Sequence, residues 1–283
     1  MSNDAKVAFV SGASRGIGAE TAVALARNGY DVAISARTLS EGESQDYVAG
    51  NMPLTGSLEA TAHAIRGYGR EALCLKADIL QANAVQAAAD QALRHFGRID
   101  FLFNNAIYQG PGNLTPVLST TRAHLEAMYQ GNVFTPLALV QNFLPGMLDR
   151  GEGTIINMLS FTALHNPPAP ADKGGWGFVY PSSKAALGRM AGALRVEHPN
   201  SGLRVFNIEP GTVITEVMRS AGIDEKALAN YKTCTPQSIA AVVAWLADNE
   251  PDASWTPAEI LKGPAIAKEL GLLKTDSLLL QQD

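Results

Sequence analysis

Six short apolar runs punctuate this chain: Lys6 to Val10, Asp31 to Ser35, Ala72 to Leu75, Phe101 to Phe103, Thr154 to Asn157 and Leu203 to Ile208. Longer segments of helical period fill most of the intervals, namely Gly18 to Asn28, Leu58 to Tyr68, Asn83 to Phe96, Thr121 to Leu148 and Tyr180 to Glu197. Continuous apolar runs of strand length suit strands covered on both faces, and the helical segments between them suit crossover helices. The pattern predicts an α/β fold, a Rossmann-type doubly wound parallel sheet with helices on both faces. No linker, low-complexity stretch or internal repeat interrupts it, so residues 1–283 are expected to form a single domain.

Two intervals depart from the pattern. Thr38 to Gly56 is longer than an ordinary βα connection and rich in Ser, Gly, Asn and Pro, which predicts a surface loop. Ala163 to Val179 contains Pro167, Pro168, Pro170, Gly174, Gly175, Gly177 and one large aromatic residue, Trp176. Its length and position suit a lid or binding loop.

Composition narrows the range of partners. With 22 basic and 27 acidic side chains the formal charge is −5, and no Lys/Arg run forms a nucleic-acid footprint. No apolar run reaches membrane-spanning length and no signal-peptide core is visible, so no membrane partner and a cytoplasmic location are expected. Cys74 and Cys234 lie far apart and read as structural thiols. The five histidines show no paired spacing, so no metal is expected.

The first apolar run leads into Ser11-Gly12-Ala-Ser-Arg15-Gly16-Ile-Gly18, and a helical segment follows at once. Glycines let the backbone turn tightly near a pyrophosphate, and a helix N-terminus attracts its charge. Gly12, Ser14, Arg15, Gly16, Ile17 and Gly18 are therefore candidate cofactor-binding residues. Roughly 20 residues further on, where a carboxylate would hold a ribose 2′-hydroxyl, the second run ends in Ser35-Ala36-Arg37. Arg37 can pair with a 2′-phosphate and Arg15 can close from the other side, so NADP(H) is expected over NAD(H).

Candidate chemistry lies in Tyr180-Pro-Ser-Ser-Lys184, with Ser160 at the end of the fifth apolar run. A Tyr and a Lys four apart share one helix face. A neighbouring ammonium favours the phenolate and draws the tyrosine pKa down from about 10, which would let Tyr180 exchange a proton with a substrate.

These features, with Asp78, Asn104-Asn105-Ala106, Asn132 and Pro210-Gly211 in the same order along the chain, resemble the short-chain dehydrogenase/reductase family over nearly the full length. The resemblance implies an oxidoreductase that interconverts a carbonyl and an alcohol. Tyr180 would be its general acid and base, and Ser160 would polarise the substrate oxygen. Lys184 would hold the nicotinamide ribose and lower the Tyr180 pKa, and Asn132 would seat a relaying water. Asp78 would bond the adenine, Asn104 would lie along the adenosine ribose beside Ala106, and the backbone after Pro210-Gly211, at Val213, would hold the carboxamide. The helices around Thr121 to Leu148 and after Tyr180, with Ala185, Ala186, Ala191 and Ala193, would form a homodimer or homotetramer contact.

Three departures from the family pattern bear on substrate. Ile107 follows Ala106 where glycine is usual and is expected to narrow the pocket. Tyr180 stands twenty positions after Ser160, several more than usual, so the 163–179 insertion should border the cleft, with Trp176 as a wall or as packing for the loop. Near the C-terminus, Thr256-Pro257 and Lys262-Gly263-Pro264 replace the usual glycine motifs, so the final strand and the tail 265–283 should pack differently. Trp176, Phe178, Val213, Ile214, Met218 and Tyr231, from segments 163–179 and 212–231, point to a small-molecule substrate of apolar character. A non-catalytic dinucleotide sensor or scaffold is the alternative, which retention of Asn132, Ser160, Tyr180 and Lys184 argues against. Enoyl reduction is disfavoured by the close Tyr–Lys spacing.

Overall fold

The computed structural model describes residues 5–47, 50–220, 233–251 and 260–272. Its elements in chain order are β1 (Val7–Ser11), α1 (Gly16–Arg27), β2 (Asp31–Ala36), β3 (Ser44–Tyr47), β4 (Gly50–Pro53), α2 (Leu58–Arg66), β5 (Ala72–Lys76), α3 (Ala82–Phe96) and β6 (Phe101–Asn104). There follow α4 (Arg122–Tyr129), α5 (Thr135–Arg150), β7 (Gly153–Met158), α6 (Val179–Glu197), β8 (Leu203–Glu209), β9 (Thr212–Val213), α7 (Glu216–Ser220), β10 (Thr233–Cys234), α8 (Pro236–Asp248), β11 (Leu261–Lys262) and α9 (Gly263–Glu269). The main sheet has seven strands in the order β11-β8-β7-β6-β1-β2-β5, all paired in parallel. The six apolar runs supply six of them, and the order reverses between β1 and β6, the crevice where such sheets bind nucleotides.

Alternation within the strands divides the core. Ala8, Val10, Val32 and Ile34 face one side and meet Leu25 of α1, Ile65 of α2 and Val243 of α8. Val7, Phe9 and Ala33 face the other and meet Ala89 of α3, Phe143 of α5 and Leu194 of α6. A period of two on a sheet with both faces covered makes most positions of both alternating sets apolar. That is why the runs read as near-continuous apolar stretches.

Several boundaries differ from the sequence pattern. The expected loop Thr38 to Gly56 contains the antiparallel pair β3–β4, with Ser44 opposite Pro53 and Tyr47 opposite Gly50. Its strands are short and polar and so carry no apolar period. Thr121 to Leu148 is not one helix, because a π-helical turn at Gln130–Phe134 separates α4 from α5. Pro136 has no N–H to bond the Asn132 carbonyl four residues earlier, so the α-helical ladder cannot run through that point. The α8 helix, not singled out in the sequence, begins at a Thr235 cap with a proline in its first turn. It packs along α1, to which Asn28 Nδ2 ties it by donating to the Ala244 carbonyl at 3.2 Å.

At the C-terminal edge Lys262-Gly263-Pro264 closes β11 and opens α9, and Pro264 packs against Gly211. Tyr231, Thr256, Pro257 and the tail beyond Leu272 lie outside the described residues.

The end of the sheet opposite the crevice is closed by charge. Asp100 is buried, with its side chain 4% exposed, and accepts from the Val7 N–H at 2.9 Å. It also receives Arg98 in a bidentate pair and Arg150 at 3.1 Å. Asp100→Ala would leave two half-buried guanidiniums and a strand N–H without their acceptor. We expect a loss of about 2–3 kcal/mol, read as an earlier urea midpoint, with dinucleotide affinity at the far end of the sheet unchanged.

Candidate active site

The Gly-rich turn is a knot of backbone contacts. Gly12 N–H and Ala13 N–H both donate to the Ser35 carbonyl at the end of β2, at 2.7 and 3.1 Å. Asn105 Nδ2 donates to the carbonyls of Ser11 at 2.9 Å and Gly12 at 3.2 Å. Ser11 Oγ accepts from the N–H groups of Asn105 and Ala106. Gly12 adopts a φ of +71°, and a side chain on Gly18 would meet the Gly12 carbonyl at 2.2 Å. The two glycines are thus required by the packing of the turn onto Asn105, before any ligand is considered.

The residues of this turn fit an anionic pyrophosphate. The residue before α1, Arg15, makes no side-chain cap, and the first turn of α1 holds no acidic residue. The N-terminal N–H groups at Gly16, Ile17 and Gly18 therefore keep their attraction for an anion. Ser14 is buried beside them. Arg15 Nε donates to the Thr55 carbonyl at 2.9 Å, and its Nη2 to Gly56 O at 2.8 Å and Thr38 Oγ1 at 3.2 Å. Thr38 directly follows Arg37, so both arginines flank the same end of β2. Asp78 follows β5 and accepts from the Leu80 N–H at 2.9 Å, which holds it at the crevice wall.

Three asparagines cross the sheet at one level. Asn104, Asn157 and Asn207 are register partners on β6, β7 and β8, and all are buried. Asn104 Nδ2 donates to Asn157 Oδ1 at 2.9 Å, Asn157 Nδ2 to Asn207 Oδ1 at 3.2 Å, and Asn207 Nδ2 to the Gly188 carbonyl of α6 at 2.9 Å. The Asn104 amide N–H is therefore spent on Asn157, and its Oδ1 is left buried with no partner among the described residues. Asn157 and Asn207 were legible in the sequence as polar residues inside apolar runs, and the pattern reading passed over them.

The remaining groups converge above these strand ends. Ser160, three residues after Asn157, has its Oγ accepting from the Thr162 hydroxyl at 3.0 Å and the Thr162 N–H at 3.3 Å. With its acceptor sites engaged, the Ser160 proton is free to point at Tyr180. Tyr180 is buried, and burial raises its pKa above the ordinary phenol value, while hydrogen bonding from Gln109 and from Ser160 pulls it down. Lys184 is 1% exposed, and burial lowers its pKa to about 7. Its Nζ donates to the Met158 carbonyl at 2.8 Å and stands 5.9 Å from the Tyr180 ring centre.

The expected lowering of the Tyr180 pKa by Lys184 is therefore not a feature of this arrangement. The ammonium is turned to a carbonyl, and its own charge is penalised by burial. Asn132, in the π-helical turn, accepts from Tyr108 N–H at 2.7 Å and donates to Tyr108 O at 3.0 Å and Ser183 Oγ at 3.1 Å. Its side chain is spent on protein partners, which leaves its carbonyl for any water.

Pro210 and Gly211 follow β8, with Gly211 N–H donating to Glu209 Oε1 at 3.0 Å, and Val213 is buried in β9. Burial raises the Glu209 pKa. Ile107 is 40% exposed. Trp176 meets Phe161 edge-on at 6.4 Å, and Phe161 stacks on His165 at 3.8 Å. The 163–179 loop is tied to the Ile107–Thr120 loop through Gly177 N–H to Asn113 O, at 2.9 Å.

The short chain dehydrogenase family profile matches residues 6–226. An uncharacterized oxidoreductase of Methylorubrum extorquens is 31% identical over 91% of this chain and 96% of its own. A metagenomic short-chain oxidoreductase solved with NADP superposes with a TM-score of 0.66 at 29% identity, covering 89% of this chain and 95% of that one. A 7α-hydroxysteroid dehydrogenase solved with NADH and 7-oxo glycochenodeoxycholic acid superposes at 0.71 with 27% identity, over 92% of each.

Lys184 sets a pH dependence that can be measured without substrate. Its folded pKa of about 7 lies below the ordinary 10.5, so the unfolded chain binds the extra proton between those values. Stability from this group is complete above about 10.5 and is lost as pH falls toward 7. Lys184→Met should flatten that slope and stabilise the ligand-free protein at pH 7 by on the order of 2–3 kcal/mol relative to pH 10. Denaturant titrations at the two pH values check it.

Proposed function

The chain belongs to the short-chain dehydrogenase family and is an NAD(P)-dependent oxidoreductase of the CH–OH/C=O class, and from that premise we propose a Tyr180-centred mechanism with NADP(H) preferred over NAD(H). The observation that carries it is the convergence of Ser160 and Tyr180 on one point, with Lys184 buried beneath and the uncapped N-terminus of α1 along the same sheet edge. A nicotinamide dinucleotide, when bound, supplies or accepts the hydride. Everything else falls to the chain.

Ser160, oriented by Thr162, donates to the carbonyl oxygen and polarises it. As the carbon gains a hydride, Tyr180 gives its proton to that oxygen, and the two donors stabilise the charge that develops there. In the reverse direction the Tyr180 oxygen takes the alcohol proton. Lys184, poised near neutrality by burial, holds the nicotinamide ribose and returns a proton toward Tyr180. The Asn132 carbonyl, which α-helical bonding cannot use, seats the water that resupplies Lys184.

Gly12, Ser14, Arg15, Gly16, Ile17 and Gly18 hold the pyrophosphate and adenosine. Asp78, Asn104 and Ala106 border the adenine and ribose through side chain or backbone, and Pro210, Gly211 and Val213 hold the carboxamide. Arg37 and Arg15 favour a 2′-phosphate by charge and shape. The exposed apolar side chains at the rim, Ile107, Leu114, Phe161, Leu164 and Phe178, support an apolar substrate. The exposed Phe134, Leu137 and Val196 on α5, its lead-in turn and α6 support a homodimer or homotetramer. The same reading takes the chain as one domain in the cytoplasm.

Tyr180→Phe should cut turnover by about 10²–10⁴-fold while NADPH affinity stays within a few-fold, measured by fluorescence titration and stopped assays. Comparable rates in the variant would sink the acid role. Arg37→Asp should weaken NADPH at least tenfold and spare NADH; equal effects on both would remove the 2′-phosphate contact.

A further inference from the structure

Gly16 opens α1 at a φ of +58°. Glycine at such a turn lets an anion come close to the backbone, because no Cβ stands in its way. Here a second part of the chain already makes that approach. A Cβ on Gly16 would lie 3.5 Å from Thr215 Cγ2 and 3.6 Å from Glu216 Oε2. The corner at Thr215 and Glu216 is held on both sides. Before it, Val213 of β9 joins the apolar cluster against which Ile17 packs. After it, in α7, Arg219 N–H donates to the Thr215 carbonyl at 3.0 Å and Met218 N–H reaches Thr215 Oγ1 at 3.5 Å.

Glu216 Oε2 is buried and has no hydrogen-bond partner among the described residues. A buried carboxylate oxygen without a donor is costly unless a favourable field offsets the loss of water. The N-terminus of α1 supplies such a field, since it has no side-chain cap and no acidic residue in its first turn. Glu216 thus brings, from a distant part of the chain, the negative charge that this helix end lacks. A pyrophosphate would bring the same charge to the same turn. We propose that Glu216 is an internal competitor of the dinucleotide, whose carboxylate has to be displaced from beside Gly16 before a diphosphate can seat. This rests on the pyrophosphate role of the Gly12 to Gly18 turn proposed above. Like charges repel at this range, so the field of α1 serves one anion at a time, and the fraction of molecules with Glu216 in place lowers the apparent affinity for nucleotide.

The test titrates the natural protein, Glu216→Gln and Glu216→Asp with NADPH and NADH by nucleotide fluorescence, and with ADP and adenosine by competition against bound NADPH. Glutamine keeps the shape of the side chain and removes its charge. NADPH, NADH and ADP should each bind about tenfold tighter to Glu216→Gln, while adenosine, which has no phosphate, stays within about twofold. Glu216→Asp keeps the charge, so it should bind all three phosphorylated ligands more weakly than Glu216→Gln does.

Unchanged nucleotide affinity in Glu216→Gln would overturn the competitor role, and so would weaker affinity, which would mean that Oε2 accepts a hydrogen bond from the nucleotide. Equal tightening of adenosine would overturn it as well, because a change that needs no phosphate reports packing and not charge. Each of these results leaves the pyrophosphate role of the turn in place. Failure of the natural protein and both variants to bind NADPH or NADH would overturn that role and this inference together.

Discussion

The line of carboxamides through Asn104, Asn157 and Asn207 is the constraint on which the site depends. A polar side chain in the middle of a doubly covered sheet has no access to water and must find its partners in the protein. Each of these amides finds them only when β6, β7 and β8 stand in one register, because a slip would leave a buried donor and acceptor unpaired. That register brings Ala106, Ser160 and Pro210, each two or three residues past a ladder asparagine, to the same edge. The last amide closes on the Gly188 carbonyl, one helical turn after Lys184, and so fixes α6 against the sheet as well. The Asn104 Oδ1 at the other end is buried with no partner among the described residues, at the crevice beside the Gly-rich turn.

A second device works from the helix side. The π-helical turn at Gln130–Phe134 makes the Asn132 side chain available to clamp the backbone of Tyr108. Regular α-helix from Thr121 to Leu148 would have rotated that amide elsewhere. The clamp joins the segment after β6 to α6 through Ser183, the residue next to Lys184. The loop and the helix that frame Tyr180 are therefore held by one side chain.

Burial acts on the two titratable groups in opposite senses. It raises the phenol and lowers the amine, since each is driven toward its neutral form. In the ligand-free protein the pair is thus a neutral acid above a nearly neutral base, each held by hydrogen bonds to uncharged groups. With a pKa of about 7 the amine carries only part of its charge near neutral pH, so a charge or dipole placed in the crevice can shift its protonation. The same burial that costs Lys184 its full charge excludes the water that would otherwise screen the reacting oxygen.

The order of apolar runs and helical segments was enough to specify the parallel sheet, its main helices and the Gly-rich turn, because a period of two or of 3.6 is a local property of the chain. Tyr180 and Lys184 on one face, Ser160 at a strand end and Arg37 beyond β2 were legible for the same reason. The β3–β4 pair was not, since short polar strands carry no period, and neither was the π-helical turn, whose sign was a single proline. What the fold alone decided was direction. Asn104 turned toward Asn157, Lys184 toward Met158 and Asn132 toward Tyr108, because hydrogen-bond partners of buried groups come from residues distant in the chain, and only packing determines which of them is within reach.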